Sequence, residues 1–200
     1  MNTAPPLQVP VYYDVASTLC YVAHRTLPRL ATSLLEIGVQ LDWSPLDLAA
    51  LLGWRRGEAV VGRRRENALA VAEDFGIRVR MPTHWIDSRR AMAFGLTLQE
   101  PEADASWRER IFSAVFEEAR PIERDEDLEP LARELGLTLD ATAIDHQLEQ
   151  ISQRTEQARE AEITGVPTFQ LGAWPLGGIQ SDETMLSILS RWATRQRAQS

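Results

Sequence analysis

Segments typical of β-strands lie only near the two ends of this chain, and a long helical stretch separates them. Val9 to Ala16 is rich in β-branched and aromatic residues, and Val39 to Leu46 alternates apolar with polar residues. Between them, Leu19 to Ile37 has a helical pattern, and we expect a break near Leu27 because the Pro28 ring cannot continue a helix. The chain therefore opens with a β-α-β unit.

The middle of the chain has the apolar spacing of three to four residues that amphipathic helices require. The predicted helices are Glu66 to Phe75, Ser88 to Leu98, Ala105 to Ala119, Asp125 to Leu135 and Ala141 to Gln157. We also expect Trp85 to line a pocket beneath this helical stretch.

The end of the chain changes character again. Pro167 to Leu171 and Pro175 to Ile179 predict two short strands that form a hairpin. Ser181 or Asp182 then provides the N-cap of a last helix that runs to about Gln196. The chain therefore closes with a β-β-α unit.

The order of these elements predicts an α/β protein. If the helical stretch is one insertion, the two ends build a four-stranded sheet with flanking helices, which resembles the thioredoxin-like fold with a large all-helical insertion. We place the thioredoxin-like domain at residues 1–46 and 158–200, and the helical insertion domain at residues 47–157.

Composition excludes several classes of protein. Hydrophobic residues make up 44% of the 200 residues, which is enough for a core. A net charge of −8 disfavours nucleic-acid partners, and no apolar run is long enough to cross a membrane. The first residues carry no signal-peptide pattern and Cys20 is the sole cysteine, so we expect a cytoplasmic protein without disulfides. No residue spacing suggests a metal site.

The junction of the first strand and first helix carries the first candidate site, Ser17-Thr18-Leu19-Cys20. The unpaired N–H groups at a helix N-terminus stabilise a thiolate, and a C-x-x-C motif here would form a redox pair. This chain has S-x-x-C instead. The simpler alternative is that Ser17 only caps the helix and Cys20 is an inert buried thiol.

Five motifs together carry a family resemblance. They are Y-Y-D-V-A-S-T-L-C-Y, L-D-W-S-P-L-D-L, D-S-R-R-A-M-A-F, G-V-P-T-F and G-G-I-Q-S-D, in this order along nearly the whole chain. The sequence resembles the DsbA-like thioredoxin-domain family, which includes FrnE-type dithiol isomerases, kappa-class glutathione transferases and 2-hydroxychromene-2-carboxylate isomerases.

The resemblance implies roles for particular residues. Ser17 falls where dithiol members carry the nucleophilic Cys and where kappa-type members carry the Ser that hydrogen-bonds the glutathione sulfur. Cys20 falls on the second, buried Cys of dithiol members. Pro167 matches the cis-proline, and the backbone of Val166 would pair with a peptide-like ligand.

Further residues are candidates for ligand contacts. By resemblance, Gly178, Gln180, Ser181 and Asp182 fall on the loop that holds the γ-glutamyl end of glutathione, although G-I-Q-S-D is nearer the FrnE-type pattern. His24, one helical turn after Cys20, would tune a thiolate or protonate a substrate, or simply pack. Arg89 would meet an anionic substrate, or lie on the surface.

Three functions remain open. The first is a DsbA/FrnE-like thiol oxidoreductase with a degenerate S-x-x-C site, acting with an external low-molecular-weight thiol or with Cys20 as a monothiol. The second is a kappa-type glutathione transferase or isomerase in which Ser17 stabilises the glutathione thiolate. The third is a non-catalytic module that binds a peptide or protein. The expected cofactor is glutathione or another small thiol, without a metal, and a homodimer remains open because relatives are often dimeric.

Overall fold

The computed structural model describes residues 5–199, and within them one mixed four-stranded sheet has the strand order β2-β1-β3-β4. The strands are β1 (Leu7–Tyr13), β2 (Val39–Pro45), β3 (Thr168–Leu171) and β4 (Trp174–Gly177). β1 runs parallel to β2 and antiparallel to β3, and β4 completes a hairpin with β3. The predicted thioredoxin-like α/β fold is therefore confirmed. Residues 1–4 and 200, at the ends of the predicted thioredoxin-like domain, lie outside the described residues.

The helix after β1 breaks where Pro28 predicted it to break. α1 (Thr18–Thr26) is followed by a 3-10 turn (Leu27–Leu30) and by α2 (Ala31–Glu36). The last helix of the chain covers Asp182–Gln199 and so extends beyond the predicted end at Gln196.

Six helices connect β2 to β3 in the described chain. They are α3 (Leu48–Leu52), α4 (Arg63–Asp74), α5 (Arg89–Thr97), α6 (Pro101–Phe116), α7 (Asp125–Glu134) and α8 (Ala141–Glu160), and α9 is the last helix at Asp182–Gln199. α3 was not predicted because five residues are too few to show a helical period. Of the helices described, none is long and apolar enough to cross a membrane.

Two hydrophobic clusters hold the elements together. The larger one contains Tyr13 and Cys20 from the β1–α1 region together with aromatic residues of α6, such as Phe112 and Phe116. The smaller one packs the strands against α9. The helical stretch thus shares a core with the end of β1 and with α1.

A buried carboxylate lies where β1 ends. Asp14 is 2% exposed, and its Oδ1 accepts hydrogen bonds from the Ala16 backbone N–H (2.8 Å) and from the Ser88 hydroxyl. Its Oδ2 accepts from the Leu48 backbone N–H at 2.8 Å. Burial raises the pKa of Asp14 to about 6, although these hydrogen bonds favour the ionised form. One side chain therefore links the end of β1 to the first turns of α3 and α5.

Replacing Asp14 with Asn will reveal this buried charge in the pH dependence of stability. The folded-state pKa lies above the ordinary value of 3.8, so the folded protein binds the proton more tightly than the unfolded chain. The contribution of Asp14 to stability therefore falls as pH rises through the interval between those two pKa values. The free energy of unfolding of wild type, minus that of Asp14→Asn, should decrease by about 3 kcal/mol between about pH 4 and pH 7.

Urea unfolding at several pH values measures this difference, from which the contributions of the titratable groups common to both proteins cancel. A difference that stays constant with pH would show that the carboxyl group of Asp14 is not perturbed.

Candidate functional site

Ser17 caps α1 and faces a cavity. Its backbone is extended (φ −90°, ψ 117°), and its Oγ accepts a hydrogen bond from the Cys20 backbone N–H at 3.3 Å. Thr18 and Leu19 are the first two residues of α1, so their backbone N–H groups have no partner within the helix, and both residues line the same cavity. The first candidate motif thus presents a hydroxyl and a helix N-terminus to a potential ligand.

Cys20 has the opposite environment. Its side chain is fully buried, and burial raises the pKa of its thiol to about 12. Hydrogen bonds from the Asp14 backbone and the Ser17 side chain favour the thiolate but do not offset burial. At neutral pH Cys20 is a neutral, inaccessible thiol, and thiols react as thiolates. The expectation that Cys20 acts as a monothiol is therefore wrong.

The second candidate motif lies beside the first. The Val166–Pro167 peptide bond is cis, as the resemblance implied, and Gly165 and Val166 line the cavity with Ser17. The loop is fixed by two hydrogen bonds. The Gly178 N–H donates to the Pro167 carbonyl at 2.8 Å, and the Thr168 hydroxyl donates to the Gly165 carbonyl at 2.7 Å.

The cavity between these two motifs has a volume of about 270 Å³ and is mostly apolar. Beyond Ser17, Thr18, Leu19, Gly165 and Val166, its lining residues come from the helical stretch: Leu48, Leu52, Trp54, Val60, Arg64, Asn67, Ala68, Val71, Met81 and Trp85. A cavity of roughly 150 Å³ holds a benzene molecule. This one therefore accommodates a small ring system with a short substituent.

An aromatic pair forms part of the cavity wall. The ring centroids of Trp54 and Trp85 are 4.4 Å apart, and the guanidinium carbon of Arg64 lies 3.9 Å from the centroid of the Trp54 ring. Trp85 was predicted to line a pocket, whereas Trp54 and Arg64 were missed. The signal that could have found Arg64 is the i, i+3, i+4, i+7 spacing of Arg64, Asn67, Ala68 and Val71.

His24 lies outside the cavity. Its Nε2 is 2.7 Å from Oε2 of Glu109, and its ring centroid is 5.0 Å from that of Phe112. The helical face that carries His24 packs against α6 and does not line the cavity beside Ser17, so the structure favours the expected packing role over a role at a thiolate.

Arg89 and the loop before α9 also lie outside the cavity. Arg89 forms an ion pair with Asp87 and does not line the cavity, and its contact with an anionic substrate stays a prediction. Ser181 accepts a hydrogen bond from the Thr184 N–H (3.3 Å) and caps α9, and neither it, Gln180 nor Asp182 lines the cavity. In the part of the chain that the structure describes, no group of three His, Cys, Asp or Glu residues could hold a metal.

Comparison with known proteins agrees with the fold described above. The profile of the DSBA-like thioredoxin domain matches residues 8–190. No curated protein matches the sequence.

Three solved structures illustrate the likeness in fold. A 2-hydroxychromene-2-carboxylate isomerase is 23% identical, with a TM-score of 0.70, covering 97% of this chain and 100% of its own. The cytosolic disulfide reductase DsbM from Pseudomonas aeruginosa, solved with GSH, is 20% identical, with a TM-score of 0.60, covering 96% and 98%. Alpha-DsbA1 of Wolbachia pipientis is 11% identical, with a TM-score of 0.62, covering 99% and 91%.

Cys20 should resist alkylation in the folded protein. A pKa raised from 9.0 to about 12 lowers the thiolate fraction at neutral pH by about a thousandfold, and burial slows the reaction further. The rate constant for iodoacetamide, followed by mass spectrometry, should be at least about a thousandfold lower in buffer than in urea.

A matched control is the Cys20→Ala protein with Ser152→Cys, which places the only thiol at an exposed position of α8. This thiol should react at similar rates in buffer and in urea. If native Cys20 reacts as fast as the control thiol, the buried, protonated state described above is incorrect.

Proposed function

The chain belongs to the DSBA-like thioredoxin domain family, and from this premise we propose that it binds a small-molecule thiol, such as glutathione, at Ser17. The bound thiolate then attacks an apolar electrophile held in the cavity. The observation that carries this proposal is the contrast between Ser17, which lines the cavity, and Cys20, which is buried and protonated. The reacting sulfur must therefore come from outside the chain.

The Ser17 hydroxyl is suited to donate to a ligand. Its oxygen already accepts from the Cys20 N–H, so its single proton goes either to the Cys20 sulfur or to a ligand. The alternative acceptor is the neutral Cys20 sulfur, which is weaker than a charged thiolate. A thiolate in the cavity would therefore take the hydrogen bond, which would lower the pKa of the bound thiol.

Opposing electrostatic effects at the start of α1 make the hydrogen bond from Ser17 important. The N-terminus of α1 favours a negative charge, but the buried Asp14 carboxylate lies close enough to oppose ionisation of Cys20. These two fields have opposite signs at the start of α1. The direct contact with Ser17 is therefore the term that we expect to decide thiolate stabilisation.

A peptide-like thiol also fits the cis-proline loop. The backbone of Val166 would pair with the extended backbone of such a ligand, as an added strand does. The DsbM structure holds GSH on the same fold, which supports glutathione as the ligand. A cytoplasmic location would supply this thiol in reduced form.

The chemistry requires no further redox partner. The bound thiol first loses its proton to solvent, and the resulting thiolate forms a C–S bond to an electrophilic carbon. In a transfer reaction a leaving group departs with the bonding electron pair. In an isomerisation the thiolate adds to a conjugated carbon–carbon double bond, whose electron pair moves to the conjugated acceptor group. After rotation about the resulting single bond the pair returns, the double bond forms again and the C–S bond breaks to release the thiolate. The apolar cavity wall favours such organic electrophiles over a peptide disulfide.

Ser17→Ala should weaken the binding of reduced glutathione. Loss of a hydrogen bond to a charged sulfur costs about 1–3 kcal/mol, or roughly 5- to 150-fold in Kd by calorimetry. Ultraviolet difference spectra should show the thiolate in wild type and not in Ser17→Ala.

Two control variants separate this role from capping. Ser17→Thr keeps a capping hydroxyl and should retain binding. Cys20→Ala removes the competing acceptor of the Ser17 proton without touching a cavity-lining residue, so it should not weaken binding. Equal affinity of wild type and Ser17→Ala for glutathione would remove this mechanism. Binding of peptides but not of glutathione would instead indicate the non-catalytic module.

A further inference from the structure

A second cavity, of about 400 Å³, lies between the β3–β4 hairpin and α9 and shares no lining residue with the cavity at Ser17. The hairpin contributes Trp174, and one face of α9 contributes Arg191, Trp192 and Arg195. We call this site the hairpin cavity. β3 begins directly after the cis-proline loop and ends at the hairpin turn, so the two cavities lie at opposite ends of this strand.

Trp174 presents an open indole ring to the hairpin cavity. Its exposed fraction is 68%, and within residues 5–199 no aromatic ring or guanidinium stacks on it. Its backbone is held by pairing with Leu171 and by Pro175, because a proline restricts the residue before it to an extended conformation. Tryptophan side chains are mostly buried in folded proteins. A rigidly held and exposed indole is therefore available to stack on a ligand.

Arg191 and Arg195 lie one helical turn apart on the same face of α9, and both are exposed. Among the residues that the structure describes, no carboxylate forms an ion pair with either of them. The helix macrodipole stabilises a cation only in the last turn, where α9 carries Arg197, so it does not account for this pair. Two neighbouring guanidinium groups are suited to bind one dianion, and their planar N–H groups match the oxygens of a phosphate.

The hairpin cavity offers hydrogen-bond donors and no negative charge. None of the described residues that line it is Asp or Glu, and the buried indole Nε1 of Trp192 has no hydrogen-bond partner. A two-fold contact with a second copy of the chain would bring the arginine pairs of both copies into one interface, where like charges repel. The site therefore favours an anionic ligand that also carries a planar ring.

From these features we propose that the hairpin cavity binds a nucleoside monophosphate, whose base stacks on Trp174 and whose phosphate binds Arg191 and Arg195. Stacking on an aromatic side chain is open to every base, because every base has a π-face. A cavity of roughly 150 Å³ holds a benzene molecule, so about 400 Å³ accommodates a base with its ribose. This site is separate from the thiol function, and neither requires the other.

The test is a calorimetric titration with AMP, adenosine and ribose 5-phosphate, which separates the two contacts. Arg191→Gln and Arg195→Gln should each weaken the binding of AMP and of ribose 5-phosphate about fivefold to tenfold, and leave adenosine unchanged. Trp174→Ala should weaken AMP and adenosine about 5- to 150-fold, the range typical of base–aromatic stacking, and leave ribose 5-phosphate unchanged. All three side chains are exposed, so these variants keep the core intact.

Two further variants serve as controls. Arg133→Gln removes an exposed arginine from α7, and Ser17→Ala alters the other cavity, so both should bind AMP with a Kd within about twofold of wild type. If AMP does not bind at millimolar concentration, or binds Arg191→Gln and Arg195→Gln as tightly as wild type, the proposal is overturned. Binding of a hexaglutamate peptide without binding of AMP would also overturn it, and would assign this surface to an acidic protein partner.

Discussion

The position of Ser17 at the start of α1 depends on the buried carboxylate of Asp14. A carboxylate without solvent is costly unless donors surround it, and here the donors come from three separate places in the chain. The Leu48 N–H starts α3 and the Ser88 hydroxyl immediately precedes α5. The Asp14 carbonyl also accepts from the Ser17 N–H at 3.0 Å, which fixes the entry into α1. One residue thus sets the relative positions of the capping serine and of two helices between β2 and β3.

This charge also limits which sulfur can react. Burial and the nearby negative charge of Asp14 both oppose ionisation of Cys20. A ligand sulfur beside Ser17 would feel the same charge, but it would lie in an open cavity and would accept a hydrogen bond from the Ser17 hydroxyl. Solvent access and a direct donor both favour ionisation. The start of α1 therefore keeps the thiol of Cys20 neutral, whereas in the proposed reaction it stabilises an external thiolate.

Local chemistry explains what the sequence predicted correctly. The cap at Ser17, the break at Pro28 and the hairpin before α9 each depend on a few neighbouring residues, so local signals suffice. His24 shows the limit of such signals. Helical spacing predicted which face of α1 carries His24, but it could not predict that α6 packs against that face. Arg64 was missed for a related reason. Its helix was predicted to begin only at Glu66, and no local sequence signal indicates that this helix lies beside Ser17 in the folded chain.

Replacing the first cysteine by serine changes which part of the fold must determine specificity. A dithiol site carries its reacting sulfurs on the chain, and one remaining buried thiol cannot complete a two-electron cycle. In the proposed reaction Ser17 and the cis-proline loop only place a ligand sulfur, and any thiol of similar shape would fit. Discrimination must then come from the walls that meet the second substrate. Trp54, Arg64 and Trp85, which line the cavity, all come from the chain between β2 and β3, so in the proposed reaction that stretch meets the electrophile while α1 and the cis-proline loop hold the thiol.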